Sequence, residues 1–578
     1  MTHFALILRL FLHEIAYIKG SILKLITAQN ELRLKKIFFI FNFEKIKIQF
    51  LKDNEFIIFL KNIKKRYFVN QVKFSNDKII LVDLLISNID YIITNLLIAQ
   101  ELQRLTNKSV QCIVYQKDYK TRLIANQFGF NKFIFFKKEK FYKSFFYFLK
   151  SISIFSKIDT EKKYYNLKFK DIEIGKISLE HFYRFHKNLN NKNENFYKIL
   201  CLSNSFLFFD FIKKNILAKN KIGYLIMGEH QYLPNRMIFN LLLKNKVKIF
   251  KRMGSNFDGI RIRAFNKYSK RYSHLHKYSK KLSNYFIKEK SKDKILLKKL
   301  FIKQKKTNDI GKEPHWANKG KSNKTKIDSI FFDSNKKYIL VLPHVMIDGM
   351  FLAKWKIYKT PYDWFVETLK IIKNIKKVNW IIKAHPSEAS HNTNLITKNV
   401  FFKHIKENEN HIRFIENNTD IKKLEKNISS VVTFNGSCGY EYPSIGIPCV
   451  TTAETRHAHF KVSKSVKSIK EYKFVLKNIN NIKKVSQTQK EKAKIFWFTR
   501  LGVNVNFDVL PKVKVSGSGF IPKNYLKIMN SNLNYKKNLE GSFYEGFKYQ
   551  FKHNNRHTVN HQIIRDLKFK DFKIKNDI

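Results

Sequence analysis

The sequence is poor in acidic residues, and this scarcity gives the chain a large positive charge. Among 578 residues, 45 are Asp or Glu and 112 are Lys or Arg, so the formal net charge is +67. Such a charge raises nucleic acid or an anionic membrane as a partner. The lysines are spread along the whole chain, however, and Phe, Ile, Asn and Tyr are also abundant, as AT-rich codons would produce. Both explanations of the charge therefore stay open.

Cysteine is also scarce. The four cysteines, Cys112, Cys201, Cys438 and Cys449, are far apart and form no Cys-x-x-Cys pair. Their spacing argues against a disulfide framework and against a zinc site, and it fits a reducing compartment.

Long apolar runs are missing as well. No stretch reaches the roughly 18 uncharged apolar residues that a membrane span requires. Residues 4–12 are apolar but interrupted by Arg9, which fits a secretory signal poorly. Residues 4–27 could form an amphipathic helix, either packed on a core or lying at a membrane surface.

Two regions alternate between buried-strand and helical patterns, which predicts an α/β fold with two doubly wound sheets. The first region has strand patterns at 78–83, 109–115, 222–227 and 247–250, with helical patterns at 93–105 and 234–243. The second has strand patterns at 338–342, 378–383, 411–415, 429–434 and 448–451, with a helical pattern at 362–376. Residues 302–330 between them are polar and lysine-rich and are interpreted as a linker or surface excursion.

Two motifs follow strands of the second region, where ligands bind in doubly wound sheets. In the first, the strand at 378–383 ends at Lys383 and is followed by His385 and Pro386. The imidazole could donate to a phosphate oxygen, Lys383 adds positive charge, and Pro386 fixes the turn.

The second motif follows the strand at 429–434 and opens a helix. It contains Asn435, Gly436, Ser437 and Gly439, with Glu441 one turn inside the helix. A helix start with small residues is a ready anion site, because backbone N–H groups and the helix dipole face the ligand. Ser437 could cap the helix or donate to phosphate, and a carboxylate at Glu441 could hold a ribose hydroxyl.

Together with Pro343-His344, Asp348 and Trp364, these motifs resemble the capsule polysaccharide biosynthesis family. That family comprises glycosyltransferases of the GT-B type, with two Rossmann-like domains facing a cleft, and includes bacterial capsule Kdo transferases. The resemblance is good over residues 335–500 and looser over 78–115 and 222–252. It implies that His385, Ser437 and Glu441 bind the phosphates and ribose of a nucleotide sugar.

The resemblance also implies the organisation of the chain and its partners. We expect a GT-B-like fold divided into an N-terminal extension (1–70), an acceptor-side domain with insertions and linker (71–330), a nucleotide-sugar domain (331–485), a closing helix (486–510) and a basic C-terminal tail (511–578). The implied reaction transfers a sugar from a CMP-Kdo-like or similar donor to a growing or lipid-linked surface polysaccharide. A cytoplasmic location follows, with peripheral contact at the inner face of an anionic membrane.

The general base is left open by the sequence. The family usually carries Trp-Asp after the Pro-His motif, where this chain has Ile347-Asp348. The candidates are therefore Asp348 and the pair Glu229 and His230 at the end of the strand at 222–227. The chain has no Asp-x-Asp motif, so we expect no metal, and no cofactor is indicated beyond the co-substrate.

Three alternatives remain. A UDP-sugar 2-epimerase shares the fold, and Glu454-Thr455-Arg456 stands near its Thr-Glu-Arg position. A polyol-phosphate transferase also uses His-Pro but usually has an acidic residue where this chain has Phe434-Asn435. A basic nucleic-acid-binding protein would need a recognisable motif, and the sequence shows none, so we expect no specific nucleic acid.

Overall fold

The structure is a computed structural model. It describes residues 54–68, 74–86, 88–136, 141–187, 193–254, 260–266, 336–349, 353, 355–385, 388, 393–416, 427–455, 457–503, 505, 507–511, 525–535, 542–554 and 557–558. The predictions for residues 4–27, for the segment 302–330 and for Pro386 lie outside these residues. No helix within the described part of the chain has the length and apolarity to cross a membrane.

The first domain is built on a six-stranded sheet. Its strands are β1 (Ser75–Asp83), β2 (Lys108–Tyr115), β3 (Phe133–Phe136), β4 (Ile222–Met227), β5 (Lys248–Met253) and β6 (Arg261–Phe265). They are ordered β3-β2-β1-β4-β5-β6, and all neighbours are parallel except β5 and β6. The strand order reverses between β1 and β4, so a ligand crevice is expected beyond the carboxyl ends of these two strands.

Helices cover both faces of this sheet, because its central strands are apolar on both sides. In β1, Ile80 and Val82 belong to one core cluster, and Leu81 belongs to the other. The first cluster also contains side chains of α1 (Asn54–Tyr67), α2 (Ile89–Thr106) and α3 (Tyr119–Gln127). The opposite face is covered by α4 (Phe141–Phe155), α5 (Glu161–Tyr165), α6 (Ile174–Phe185), α7 (Glu194–Phe211) and α8 (Asn235–Lys244).

The C-terminal part of the chain also belongs to the first domain. Helices α14 (Tyr525–Tyr535) and α15 (Phe543–Lys552) insert Tyr525, Phe543 and Phe547 into the first core cluster, where all three are fully buried. The lysine content of residues 511–578 predicts a basic tail, either a small helical appendage or a partly disordered segment, and not a part of this core. The difference arises because Phe543 and Phe547 lie one helical turn apart and form an apolar face that the overall composition hides.

The second domain repeats the same strand order in a fully parallel sheet. Its strands are β7 (Tyr338–Leu342), β8 (Asn379–Lys383), β9 (Ile412–Ile415), β10 (Ile428–Thr433), β11 (Cys449–Thr451) and β12 (Lys464–Ser465). The order is β12-β11-β10-β7-β8-β9, so this sheet reverses between β7 and β10. Its helices are α9 (Pro361–Ile372), α10 (Thr397–His404), α11 (Cys438–Ile445) and α12 (Ile469–Lys477).

A long helix connects the second domain back to the first. Helix α13 (Gln487–Val503) packs on α11. Directly after it, Val505 exchanges backbone hydrogen bonds with Ile260 of the first domain, with N–O distances of 2.7 and 3.1 Å. The predicted α/β fold with two Rossmann-like parallel sheets is confirmed by this architecture.

Candidate functional site

The loops at the two switch points meet across a cleft between the domains. Tyr232, in the loop after β4, donates a hydrogen bond from its hydroxyl to the carboxylate of Asp348, in the loop after β7. The backbone N–H of Gly349 donates to the same hydroxyl at 3.3 Å. Arg184, at the end of α6, approaches Asp348 at 3.9 Å. The carboxyl ends of both sheets therefore face the same space.

Two histidines lie beside each other at the second-domain crevice. His344 follows β7 and His385 follows β8, and their ring centroids are 5.9 Å apart. The His344 ring donates from Nδ1 to the carbonyl oxygen of Val345 at 2.9 Å, which orients the ring. Lys383 is buried at the end of β8. The predicted donor-binding residue His385 thus lies beside His344, which entered the sequence analysis only as part of the family resemblance.

Glu388, three residues after His385, is hydrogen-bonded to the start of a helix. Glu388 is buried and accepts hydrogen bonds from the backbone N–H (3.1 Å) and the hydroxyl of Thr397, the first residue of α10. Burial raises the pKa of Glu388 to about 7, against the lowering effect of the Thr397 hydrogen bonds. This carboxylate therefore fixes the start of α10.

The turn between β10 and α11 completes the second-domain crevice. Asn435, Gly436 and Ser437 are each half-buried there, and Oδ1 of Asn435 has no hydrogen-bond partner among the described residues. Ser437 makes no side-chain capping bond to α11. By contrast, Thr360 caps α9 by accepting from the N–H of Asp363 at 3.0 Å. The turn thus presents uncommitted polar groups at a helix start, as an anion site requires.

Inside α11, the small residue at 439 makes room for a neighbouring side chain. A Cβ on Gly439 would lie 2.6 Å from Nε2 of His457, whose side chain is only 1 % exposed. The His457 ring packs between Tyr440 and Phe496, with centroids 5.2 and 5.8 Å away. The absence of a side chain at Gly439 therefore allows the contact with His457. Glu441 lies half-buried in the first turn of α11.

The first-domain crevice contains a carboxylate that faces the cleft. Glu229 follows β4, its side chain is 42 % exposed, and it accepts a hydrogen bond from the hydroxyl of Tyr91 at 3.0 Å. Lys251 approaches the same carboxylate at 3.8 Å from a fully buried position. Burial and the charges of three nearby arginines lower the pKa of Lys251 to about 8, opposed by Glu229.

His230 differs from the prediction that placed it with the catalytic residues. Its side chain is 1 % exposed and packs against the rings of Phe239 and Phe265, with centroids 4.5 and 6.3 Å away. The backbone turn that exposes Glu229 directs the next side chain into the core. In this position the ring packs in the core of the first domain.

Buried cations behind Glu229 are a feature that sequence reasoning missed. Lys251 on β5 lies directly opposite Arg263 on β6, Arg261 follows on the same face, and Arg236 lies in the first turn of α8. All four are buried. The signal was present as charged residues inside otherwise apolar strands, in the segments KIFKRM and RIRAF. We refer to these four residues as the cation cluster.

Comparisons with known proteins give fold-level similarity at low scores. No family and no curated protein matches the sequence. Two solved structures of KpsC from Thermosulfurimonas dismutans, described as β-Kdo 2,4 and 2,7 transferases, both have a TM-score of 0.29. Their identities are 7% and 16%, and the matches cover 54% and 64% of this chain and 88% and 98% of theirs. A UDP-GlcNAc 2-epimerase from Neisseria meningitidis has a TM-score of 0.20 and 12% identity, with 73% of this chain and 99% of that chain covered. Similarity at this level assigns no activity.

Proposed function

We propose that this protein is a GT-B glycosyltransferase that moves a sugar from a nucleotide-sugar donor to a glycan or glycolipid acceptor of a surface polysaccharide. The observation that carries the proposal is the contact between Tyr232 and Asp348, which brings the switch-point loops of two parallel sheets together. Each loop borders its own crevice, and a transfer reaction needs two substrates bound face to face.

The second-domain crevice suits the nucleotide diphosphate or monophosphate of the donor. His344, His385 and Lys383 supply donors and positive charge, and the turn at 435–437 supplies polar groups at the start of α11. Together they would stabilise the negative charge that develops on the leaving phosphate. This stabilisation requires no proton transfer from these residues. Pro386 and Glu441 are proposed as part of this donor site by their place in the motifs.

The first-domain crevice suits the acceptor and the proton transfer. We assign the general base to Glu229, because its carboxylate is partly exposed to the cleft and oriented by Tyr91 and Lys251. Asp348 is engaged by Tyr232 and Arg184, so we assign it a role in holding the two domains in register. The cation cluster favours an acidic sugar or a phosphate-bearing acceptor in this half, since buried positive charge attracts an anion.

Thermal stabilisation by nucleotides tests the donor site first. CMP, CDP, UDP and GDP are each added to the full chain and to two variants, His385→Ala and His404→Ala. His404 ends α10 beside Lys370 and Lys403, so it is a matched histidine in the same domain outside the crevice. A nucleotide at 100 times its dissociation constant stabilises the fold by about 2.7 kcal/mol. We expect stabilisation by one nucleotide class, its loss in His385→Ala, and its retention in His404→Ala.

Other outcomes separate the alternatives. Stabilisation by UDP alone, with conversion of a UDP-sugar in the absence of any acceptor, would identify a 2-epimerase instead. If the folded protein responds to no nucleotide, or if His385→Ala responds as the wild type does, the donor-site assignment fails. Binding to nucleic acid with a preference for sequence or structure would then favour a nucleic-acid-binding protein.

A further inference from the structure

Three metal-ligating side chains converge where α6 meets α7, outside both crevices. His181 lies on α6, His186 is the residue that directly follows α6, and Cys201 lies on α7. One ligand atom from each residue lies within 4.8 Å of the other two. Among the described residues they form the single group of three such side chains that could hold a metal ion.

Aromatic side chains on the two helices contact the two histidines. His181 and Phe185 lie one turn apart on α6, and their rings are 4.6 Å apart. On α7, Tyr197 lies one turn before Cys201 and stacks on the His186 ring at 4.7 Å and 13°. Residues at this spacing share one helix face, so the stacking that orients His186 also directs it towards Cys201.

The surroundings leave at least one ligand atom available. Nδ1 of His181 is buried and has no hydrogen-bond partner among the described residues. A buried nitrogen without a hydrogen-bond partner disfavours the folded state, and a bound ion would offset this cost. His181 and His186 are half-buried whereas Cys201 is buried, so an ion could enter from the histidine side.

We propose that His181, His186 and Cys201 bind a zinc ion. Two imidazoles and one thiolate form a ligand set that Zn²⁺ prefers, with a fourth, tetrahedral position left for water. Ligand atoms around Zn²⁺ lie about 3.3–3.7 Å apart at the usual bond lengths, so the group, whose atoms lie within 4.8 Å of one another, closes by at most about 1.5 Å. On binding, the Cys201 thiol loses its proton to solvent and the sulfur coordinates as thiolate.

The site lies next to the interdomain contact and would fix one side of it. Arg184 and Phe185 lie between the two histidines in sequence, and they contact Asp348 and Tyr232 respectively. A zinc ion would tie this end of α6 to α7 and hold both side chains in place. This role is independent of the donor and acceptor assignments above. It departs from the sequence-based expectation of no zinc site and no metal, because the folded chain brings two histidines to Cys201 that cysteine spacing does not reveal.

Metal analysis and cobalt substitution test the site in the full chain without a polyhistidine tag. We expect one equivalent of zinc in protein prepared with zinc. After its removal, one equivalent of Co²⁺ should produce a thiolate-to-cobalt charge-transfer band in the near ultraviolet. Cys201→Ala should abolish the band, and His186→Gln should weaken Zn²⁺ binding on the order of 100-fold. Cys112→Ala is the matched control, since Cys112 is equally buried, on β2.

The experiment remains decisive if one of the variants does not fold. If Cys201→Ala loses its circular dichroism spectrum, the half-buried His186→Gln decides the question. The proposal is overturned if folded wild-type protein retains no zinc and gives no charge-transfer band. It is equally overturned if His186→Gln binds zinc as tightly as the wild type, or if the band survives in Cys201→Ala.

Discussion

The two domains have the same strand order but line their crevices with different side chains. The first-domain crevice has Glu229 in front of the four buried side chains of the cation cluster. The second-domain crevice has two histidines, one buried lysine and a turn of small polar residues. A doubly wound sheet thus provides a position for a ligand, and the loop residues decide which ligand fits it.

The difference also concerns how each half is stabilised. Burying like charges side by side, as with Lys251 and Arg263 on paired strands, disfavours the folded state. The second domain instead packs Trp364, Trp380 and Tyr472, with Trp364 donating from Nε1 to the Tyr472 hydroxyl at 3.0 Å. The paired burial of like charges points to this part of the first domain as a place where function constrains the sequence.

The largest expected effect is on kcat and distinguishes Glu229 from Asp348, the two carboxylates of the cleft. Glu229→Gln should lower kcat about 100-fold or more, because a general base contributes on the order of 10²–10⁴ to the rate. Asp348→Asn should lower it less than about tenfold and act mainly on KM, since Asp348 positions the domains. The measurement is release of nucleotide from the donor that thermal stabilisation identifies. The reverse ranking would transfer the base to the second domain.

The charge of the first crevice is tested by the pH dependence of stability. The pKa of Lys251 falls from 10.5 to about 8 on folding. Between these values the unfolded chain binds the extra proton, so the Lys251 contribution to the free energy of unfolding rises with pH. The rise is on the order of 3 kcal/mol at most. The difference between wild type and Lys251→Met should change by this amount from pH 8 to 10.5.

Denaturant unfolding at several pH values measures that difference. Lys214→Met, at an exposed position with 65% side-chain exposure, is the matched control and should show no such change. A pH-independent difference for Lys251→Met would mean that the cation cluster is compensated or solvated, and the contrast between the two crevices would weaken.

A smaller effect tests how the second crevice is packed. Gly439→Ala places a Cβ 2.6 Å from the buried His457 ring, and overpacking of this kind costs about 1–3 kcal/mol. Gly436→Ala meets its nearest atoms at 3.0 and 3.1 Å and should cost less. Thermal unfolding of both variants provides the comparison. Equal costs would indicate that α11 and His457 adjust freely, contrary to a rigid anion site.

The smallest effect concerns the start of α11. Because Ser437 makes no capping bond, Ser437→Ala should change the free energy of unfolding by less than about 0.5 kcal/mol. Thr360→Ala removes a real cap and should cost about 1 kcal/mol. In the donor-site proposal, Ser437→Ala still reduces stabilisation by nucleotide. A variant with unchanged nucleotide response would remove Ser437 from the site.

Much of the fold was predictable because its signals are local. Apolar strand segments such as the one ending at Lys383 were found within a residue or two, and the His385 and Ser437 motifs stand at the carboxyl ends where strand patterns placed them. The packing of helices α14 and α15 into the first-domain core was not predicted, because a lysine-rich composition masked their apolar faces. The cation cluster was missed because charged residues in a strand pattern ordinarily indicate exposure.

The sequence by itself determined the two α/β regions, nine of their twelve strands and the motifs after β8 and β10, because periodicity and turn residues act over a few positions. Tertiary structure decided what long-range packing controls. Tertiary packing buries His230 and places the His457 ring against Gly439. It also forms the hydrogen bond between Tyr232 and Asp348, which are 116 residues apart in the sequence. It also brought His181, His186 and Cys201 together from two helices. Such contacts depend on how helices and strands distant in sequence pack together, so local sequence patterns do not predict them.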